Sequence, residues 1–106
     1  MVDDTVIEAV RQYLAGLPAF GIHARRAVLF GSYVQGKADQ WSDIDLVVIA
    51  PEFDGSRDIS LVKALWRATV ADNRIEPVAC GEKEWETDDS RPIIEIARRE
   101  GIVIAA

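Results

Sequence analysis

The hydrophobic residues of this chain follow two rhythms, and the changes between them predict an alternation of helices and strands. Val6, Ile7, Val10, Leu14 and Leu17 recur at the spacing of an amphipathic helix. Asp3 or Asp4 can cap its start, and Pro18 with Gly21 closes it. Such a helix covers one face of a sheet. Ala27 to Phe30 is a short apolar run ending at Gly31-Ser32, which reads as a first central strand. Ser32 to Gln35 starts a short helix that stops near Gly36. After the polar connection Lys37 to Ser42 comes the longest strand signal, Asp43 to Ala50, ended by Pro51. Asp54-Gly55 is a turn dipeptide in the loop Glu52 to Arg57. Asp58 or Ser60 opens a second amphipathic helix that runs through Ala71, with Leu61, Val62, Leu65, Trp66 and Ala68 apolar. Arg74 to Cys80 reads as a third strand, and Pro77, which lacks an N–H for the ladder, places it at a sheet edge or beside a bulge. Glu82 to Asp89 is acidic and reads as mostly surface. Ser90, with Pro92 in the first turn, starts a last helix carrying Ile93, Ile94 and Ala97 that ends at Gly101. Ile102 to Ala106 adds a short strand. No internal repeat, low-complexity tract or linker interrupts the pattern.

With 106 residues, 49% of them hydrophobic, the expectation is one domain over residues 1–106 with a modest core. Twelve basic residues against 18 acidic ones leave a net charge of -6. That balance argues against a free-standing polymerase or stable nucleic-acid binding, which draw most of their affinity from basic surface. A nucleotide that brings its own cation meets no such objection. Cys80 is the sole cysteine, so no internal disulfide forms, and it reads as a small half-buried hydrophobe. The start of the chain lacks the basic and apolar regions of a signal peptide, and no apolar run reaches spanning length. No membrane association is expected, and the expected location is cytoplasmic.

Asp43 and Asp45 bring chemistry into this frame. Side chains two apart in a strand share a face, so the two carboxylates sit about 7 Å apart along the strand. Beside an apolar strand that arrangement is costly unless a cation neutralises it, and Mg²⁺ takes oxygen ligands while keeping positions open for phosphates. Upstream, Gly31 lets the backbone bend sharply, and the Ser32 hydroxyl with the N–H groups that follow can cradle phosphate oxygens. Glu76 lies between Ile75 and Pro77 in the third strand, where a charge is otherwise out of place, and is the candidate third carboxylate of a two-metal site. Each motif alone also fits a plainer reading: a turn with a cap, a solvated strand start, a solvent-facing edge residue. Order and spacing favour the joint one, because adjacent strands bring the end of one beside the start of the next. His23 lies upstream of the motif and fits a surface or structural role better than that of a general base.

Phe30-Gly31-Ser32-Tyr33 through Gly36, followed by Ser42-Asp43-Ile44-Asp45-Leu46-Val47-Val48, resembles the signature of the polymerase-β-like nucleotidyltransferase superfamily. The short chain, the Gly-Ser-x-x-x-Gly form and the ending Arg98-Arg99-Glu100-Gly101-Ile102 are similar to the minimal nucleotidyltransferases within it. The likeness spans nearly the whole chain. It implies an α+β domain with a short mixed sheet packed against helices, two Mg²⁺ ions, and transfer of a nucleoside monophosphate, AMP from ATP, to a hydroxyl. By position, Asp43 and Asp45 would ligate both metals, Glu76 would complete the nucleophile-side metal, and Gly31 with Ser32 would hold the triphosphate. Family members often carry Ala-Arg-Gly where this chain has Val34-Gln35-Gly36, so the basic residue is missing, with Lys37 or Arg57 as possible substitutes. Their third carboxylate is usually Asp rather than Glu. The resemblance further implies an antitoxin of a toxin–antitoxin pair, which AMPylates a tyrosine of a small helical HEPN toxin. A chain this short has no separate acceptor domain, which suits a macromolecular acceptor. Trp41, Trp66 and Trp85, with the acidic 82–89 segment, are candidates for the docking surface, although the helical spacing of Trp66 also fits a core position. The alternatives are an antitoxin that neutralises its partner by binding with little catalysis, and a small-molecule nucleotidyltransferase acting as a dimer. A homo- or hetero-oligomer is compatible with each.

Overall fold

A computed structural model describes residues 2–39, 42–55, 58–87 and 90–106. The first amphipathic pattern becomes α1 (Asp4–Gly16), capped by Asp3, whose carboxylate accepts the Thr5 N–H at 2.8 Å. A 3-10 turn, Leu17–Phe20, follows and closes at Gly21. Next come β1 (Arg26–Phe30), the single-turn α2 (Ser32–Gln35) and β2 (Ile44–Ile49). After them follow α3 (Ile59–Arg67), β3 (Ile75–Cys80), α4 (Glu82–Thr87), α5 (Pro92–Glu100) and β4 (Ile102–Ala105).

The four strands form a mixed sheet in the order β3-β2-β1-β4. β1 pairs antiparallel with β2 and with β4, and β2 pairs parallel with β3. A parallel pair needs a crossover, and α3 supplies it. Pro77 lies in β3, at a sheet edge, as its missing N–H requires. One face of the sheet buries Leu29, Ile44, Leu46, Val48 and Ile75 against Val6, Val10, Tyr13 and Leu14 of α1 and Ala64 and Leu65 of α3. The other buries Val28, Phe30, Val47, Ile49 and Cys80 against Ile94 and Ala97 of α5. The result is an α+β architecture in which helices cover both faces of a short mixed sheet.

Several elements differ from what the pattern predicts. The helix expected through Ala71 ends as α-helix at Arg67 and tightens into a 3-10 turn over Ala68–Ala71. The acidic stretch after β3 is mostly surface but forms a helix the pattern does not predict, α4 over Glu82–Thr87, which partly buries Glu84 and Trp85. Trp66 is half-exposed rather than core. Trp85 is partly buried and packs against the α5-side core with the Arg98 guanidinium over its ring, 5.4 Å from the centroid. Trp41 lies outside the described residues. Cys80 is fully buried, and burial pushes its thiol up to about 12. Among the described residues no helix is long and apolar enough to cross a membrane.

Candidate active site

The site grows from the way β1 stops. β1 and β2 run antiparallel with Phe30 opposite Asp45, so the Gly31-Ser32 bend that ends β1 lies beside the start of β2. Gly31 has φ 79° and ψ -145°, a backbone region open essentially to glycine. It also has no room for a side chain. A Cβ there would collide with Oδ2 of Asp45 and lie 3.1 Å from its Cγ. The Asp45 carboxylate therefore rests directly on the Gly31 backbone.

Beyond the bend, α2 begins. The Val34 and Gln35 N–H groups both return to the Gly31 carbonyl at 3.0 Å, which leaves the Ser32 and Tyr33 N–H groups without an acceptor inside the turn. Gly36 ends the turn in the left-handed region at φ 73°.

β3 brings the third carboxylate. Asp45 and Glu76 are partners in the parallel ladder, and strand alternation puts Asp43, Asp45 and Glu76 on one side. Every residue of β2 is buried apart from Asp45, which is half-buried, whereas Asp43 and Glu76 are exposed. Burial raises the Asp45 carboxyl above its usual range, and the neighbouring Asp43 charge adds to the rise. Glu76 is raised as well, by desolvation first, then by a hydrogen bond with the Asp43 carboxyl and by the charges of Asp43 and Asp45. The three acids expected from the sequence are thus brought together beside the bend and act on one another. Among the described residues, no three His, Cys, Asp or Glu side chains are drawn close enough to hold an ion by themselves. Their donor set nevertheless fits a hard cation: carboxylate oxygens only, in mutual repulsion, with solvent access for further oxygen ligands.

Three residues that pattern reading passed over border this cluster. The Arg74 carbonyl accepts the Ile44 N–H at 2.7 Å, tying the start of β2 to the start of β3. Asp72 grips the Arg74 guanidinium from Nε at 3.0 Å and from NH2 at 2.6 Å, and that hydrogen bonding is the main reason its carboxyl lies below the usual range. The Arg74 NH1 reaches the Tyr33 hydroxyl at 3.5 Å, across 41 positions of sequence. The available signal was Asp72-x-Arg74-x-Glu76, a pair with helpful spacing just ahead of the third acid. Lys37 is exposed beyond Gly36, and Arg57 lies outside the described residues. His23 is away from the acids, and its Nδ1 meets Glu52 Oε2 at 2.8 Å on the surface.

Comparison with known proteins agrees with this geometry. A candidate nucleotidyltransferase from Sulfolobus solfataricus, solved by crystallography at 1.40 Å, superposes with a TM-score of 0.66 at 12% identity. The match covers 93% of this chain and 78% of that one, and shows a shared fold. Comparison with curated proteins by sequence gives no match. The family model described as nucleotidyltransferase domain matches residues 7–99, from α1 to α5, and the chain belongs to that family.

Proposed function

We propose that this chain uses Mg²⁺ to move AMP from ATP onto a hydroxyl of a partner protein. The acceptor in this reading is a tyrosine of a small helical HEPN toxin, which makes the chain its antitoxin. The observation that carries the transferase part is the convergence of Asp43, Asp45 and Glu76 beside the Gly31-Ser32 bend.

Asp43 and Asp45 would hold both ions, and Glu76 would complete the one on the nucleophile side. Bound Mg²⁺ supplies charge neutralisation, a more acidic incoming hydroxyl and a stabilised leaving group. The protein's own part is positioning. The Ser32 hydroxyl and the Ser32 and Tyr33 N–H groups hold phosphate oxygens, and Gly31 lets the triphosphate approach the backbone closely. The acceptor hydroxyl gives up its proton to solvent, its oxygen bonds to the α-phosphorus as the bond to the bridging oxygen of the β-phosphate breaks, and pyrophosphate leaves.

The choice of a protein acceptor is supported by an exposed apolar face. Along α3 and the turn after it, Ile59, Trp66 and Val70 are exposed at relative areas of 69%, 50% and 89%, an apolar stripe of the kind helical partners cover. The test is direct. The purified chain, ATP, Mg²⁺ and the product of the adjoining reading frame are mixed and the partner is weighed by mass spectrometry. A gain of one or more AMP units supports the reading. Tight association without a mass gain replaces it with neutralisation by binding alone, and label transfer to a small hydroxyl compound instead replaces the acceptor.

A further inference from the structure

Nucleotidyl transfer needs positive charge near the phosphates, and the position where the resembling family carries a basic residue holds Gln35, exposed at the end of α2. The fold offers another cation at that end of the sheet. Arg74 lies in the connection that starts β3, bonded through its carbonyl to the first residue of β2, between Asp43 and Asp45 in sequence. Its guanidinium is held along one edge by Asp72, from Nε and NH2, while NH1 is directed at the hydroxyl of Tyr33, the residue after Ser32.

The guanidinium pairs with Asp72 and meets Tyr33, while the influences on Asp45 and Glu76 are burial and their fellow acids. Asp72 holds the positive charge where NH1 faces Tyr33 of α2. The grip also fixes the planar fork in advance, so less rotamer freedom is lost when NH1 takes a ligand. The Arg74 side chain is 38% exposed and its Asp72 partner 17% exposed, so the fork is anchored at the protein side and open at the other.

We infer that Arg74, oriented by Asp72 and abutting Tyr33, binds the outer phosphates of a nucleoside triphosphate, replacing in space the basic residue absent at position 35. This rests on the nucleotide-transfer reading. It makes Arg74 a specificity residue that distinguishes triphosphate from monophosphate, while the acids and the Gly31-Ser32 bend serve both.

The experiment measures binding of ATP and of AMP, each with Mg²⁺, to the full chain and to the Arg74→Ala, Arg74→Lys and Tyr33→Phe variants by isothermal titration calorimetry. A lost charge-assisted hydrogen bond to phosphate corresponds to about tenfold or more in affinity. Arg74→Ala is expected to weaken ATP by that factor and AMP by less than about twofold, with Arg74→Lys in between because a point charge replaces the fork. Tyr33→Phe is expected to change the ATP-to-AMP ratio in the same direction by a smaller factor. Equal weakening of ATP and AMP, or no change in either, overturns the inference and leaves the transfer reading standing. Failure of the unmodified chain to bind ATP with Mg²⁺ overturns both.

Discussion

Replacing Gly31 by alanine tests the geometry on which the site is built. Two separate penalties follow from the structure. The backbone at φ 79° and ψ -145° lies in a region that an L-residue occupies only under strain, at about 1–3 kcal/mol. The new Cβ also meets the Asp45 carboxylate, which must leave its rotamer, at roughly 1 kcal/mol more. Together these give about 2–4 kcal/mol, or a fall in melting temperature of roughly 10–20 °C for a domain of this size. Differential scanning calorimetry of the apo-protein reads the loss. The second penalty disappears if the carboxylate is removed, because the Asp45 Cβ lies 3.3 Å from the added Cβ, a contact that small shifts relieve. Gly31→Ala therefore costs less in an Asp45→Ala background, and the difference, about 1 kcal/mol, is the coupling between bend and acid. A fall of less than about 2 °C, or an identical fall in both backgrounds, refutes the close approach of Asp45 to the Gly31 backbone.

Other consequences follow from the same contacts. Asp45→Asn is expected to abolish Mg²⁺-dependent label transfer from ATP while leaving the fold intact, and retained transfer would remove the metal role of that acid. Asp45 and Glu76 have folded-state proton affinities above those of the unfolded chain, so their contribution to stability is fullest at low pH. It is lost as pH rises from the ordinary carboxylate range through the raised folded values. The melting temperature of Glu76→Gln minus that of the unmodified chain, measured without divalent ions, should rise over this window and then level off; a flat difference contradicts the repulsion. Tyr13→Phe leaves the buried Leu65 carbonyl, now 2.7 Å from the Tyr13 hydroxyl, without its donor, and thermal unfolding should show a loss of about 1–2 kcal/mol. Asp54→Ala removes the acceptor of the Glu82 and Lys83 N–H groups at the start of α4, and should cost about 1 kcal/mol with faster amide exchange confined to that helix.

What could be read from the chain alone depended on whether the cause was local. β1, β2 and the pair Asp43 and Asp45 were legible because strand alternation and the Gly-Ser bend are short-range signals, and α1 and α5 because their apolar faces repeat at helical spacing. α4 was missed because its cap is Asp54, 28 positions before Glu82, and because Glu84 is held by Arg91 rather than by solvent. Tyr13 was passed over as core since its hydroxyl looks polar until Leu65 supplies an acceptor. The exposure of Trp66 and the packing of Trp85 have a similar origin: spacing marks a helix face but not which tryptophan the neighbouring α5 reaches. The last helix ends at Gly101 as the pattern predicts, but what excludes a side chain there, crowding by the Ala97 carbonyl, Val28 Cγ1 and Leu29 carbonyl, shows only in the fold. Glu76 stood out because a charge inside a strand is conspicuous, and the ladder sets it opposite Asp45, whereas Arg74 did not stand out, since only its contact with Tyr33 ties it to α2.

The placement of the acids along their strands explains how the fold tolerates them. A carboxylate deep in β2 would need a permanent partner, because the strand is buried on both faces beyond Asp45. Asp43 instead precedes β2, and Asp45 and Glu76 stand at the second positions of β2 and β3, where the sheet meets solvent and only Asp45 is half-buried. Water screens Asp43 and Glu76, which limits their repulsion. Burial of Asp45 keeps part of that repulsion, so on the proposed reading a divalent ion bound there would stabilise the fold. Moving the same three acids one ladder step inward would bury a charge in the core. Moving them one step outward would detach Asp45 from Gly31 and separate the acids from the bend.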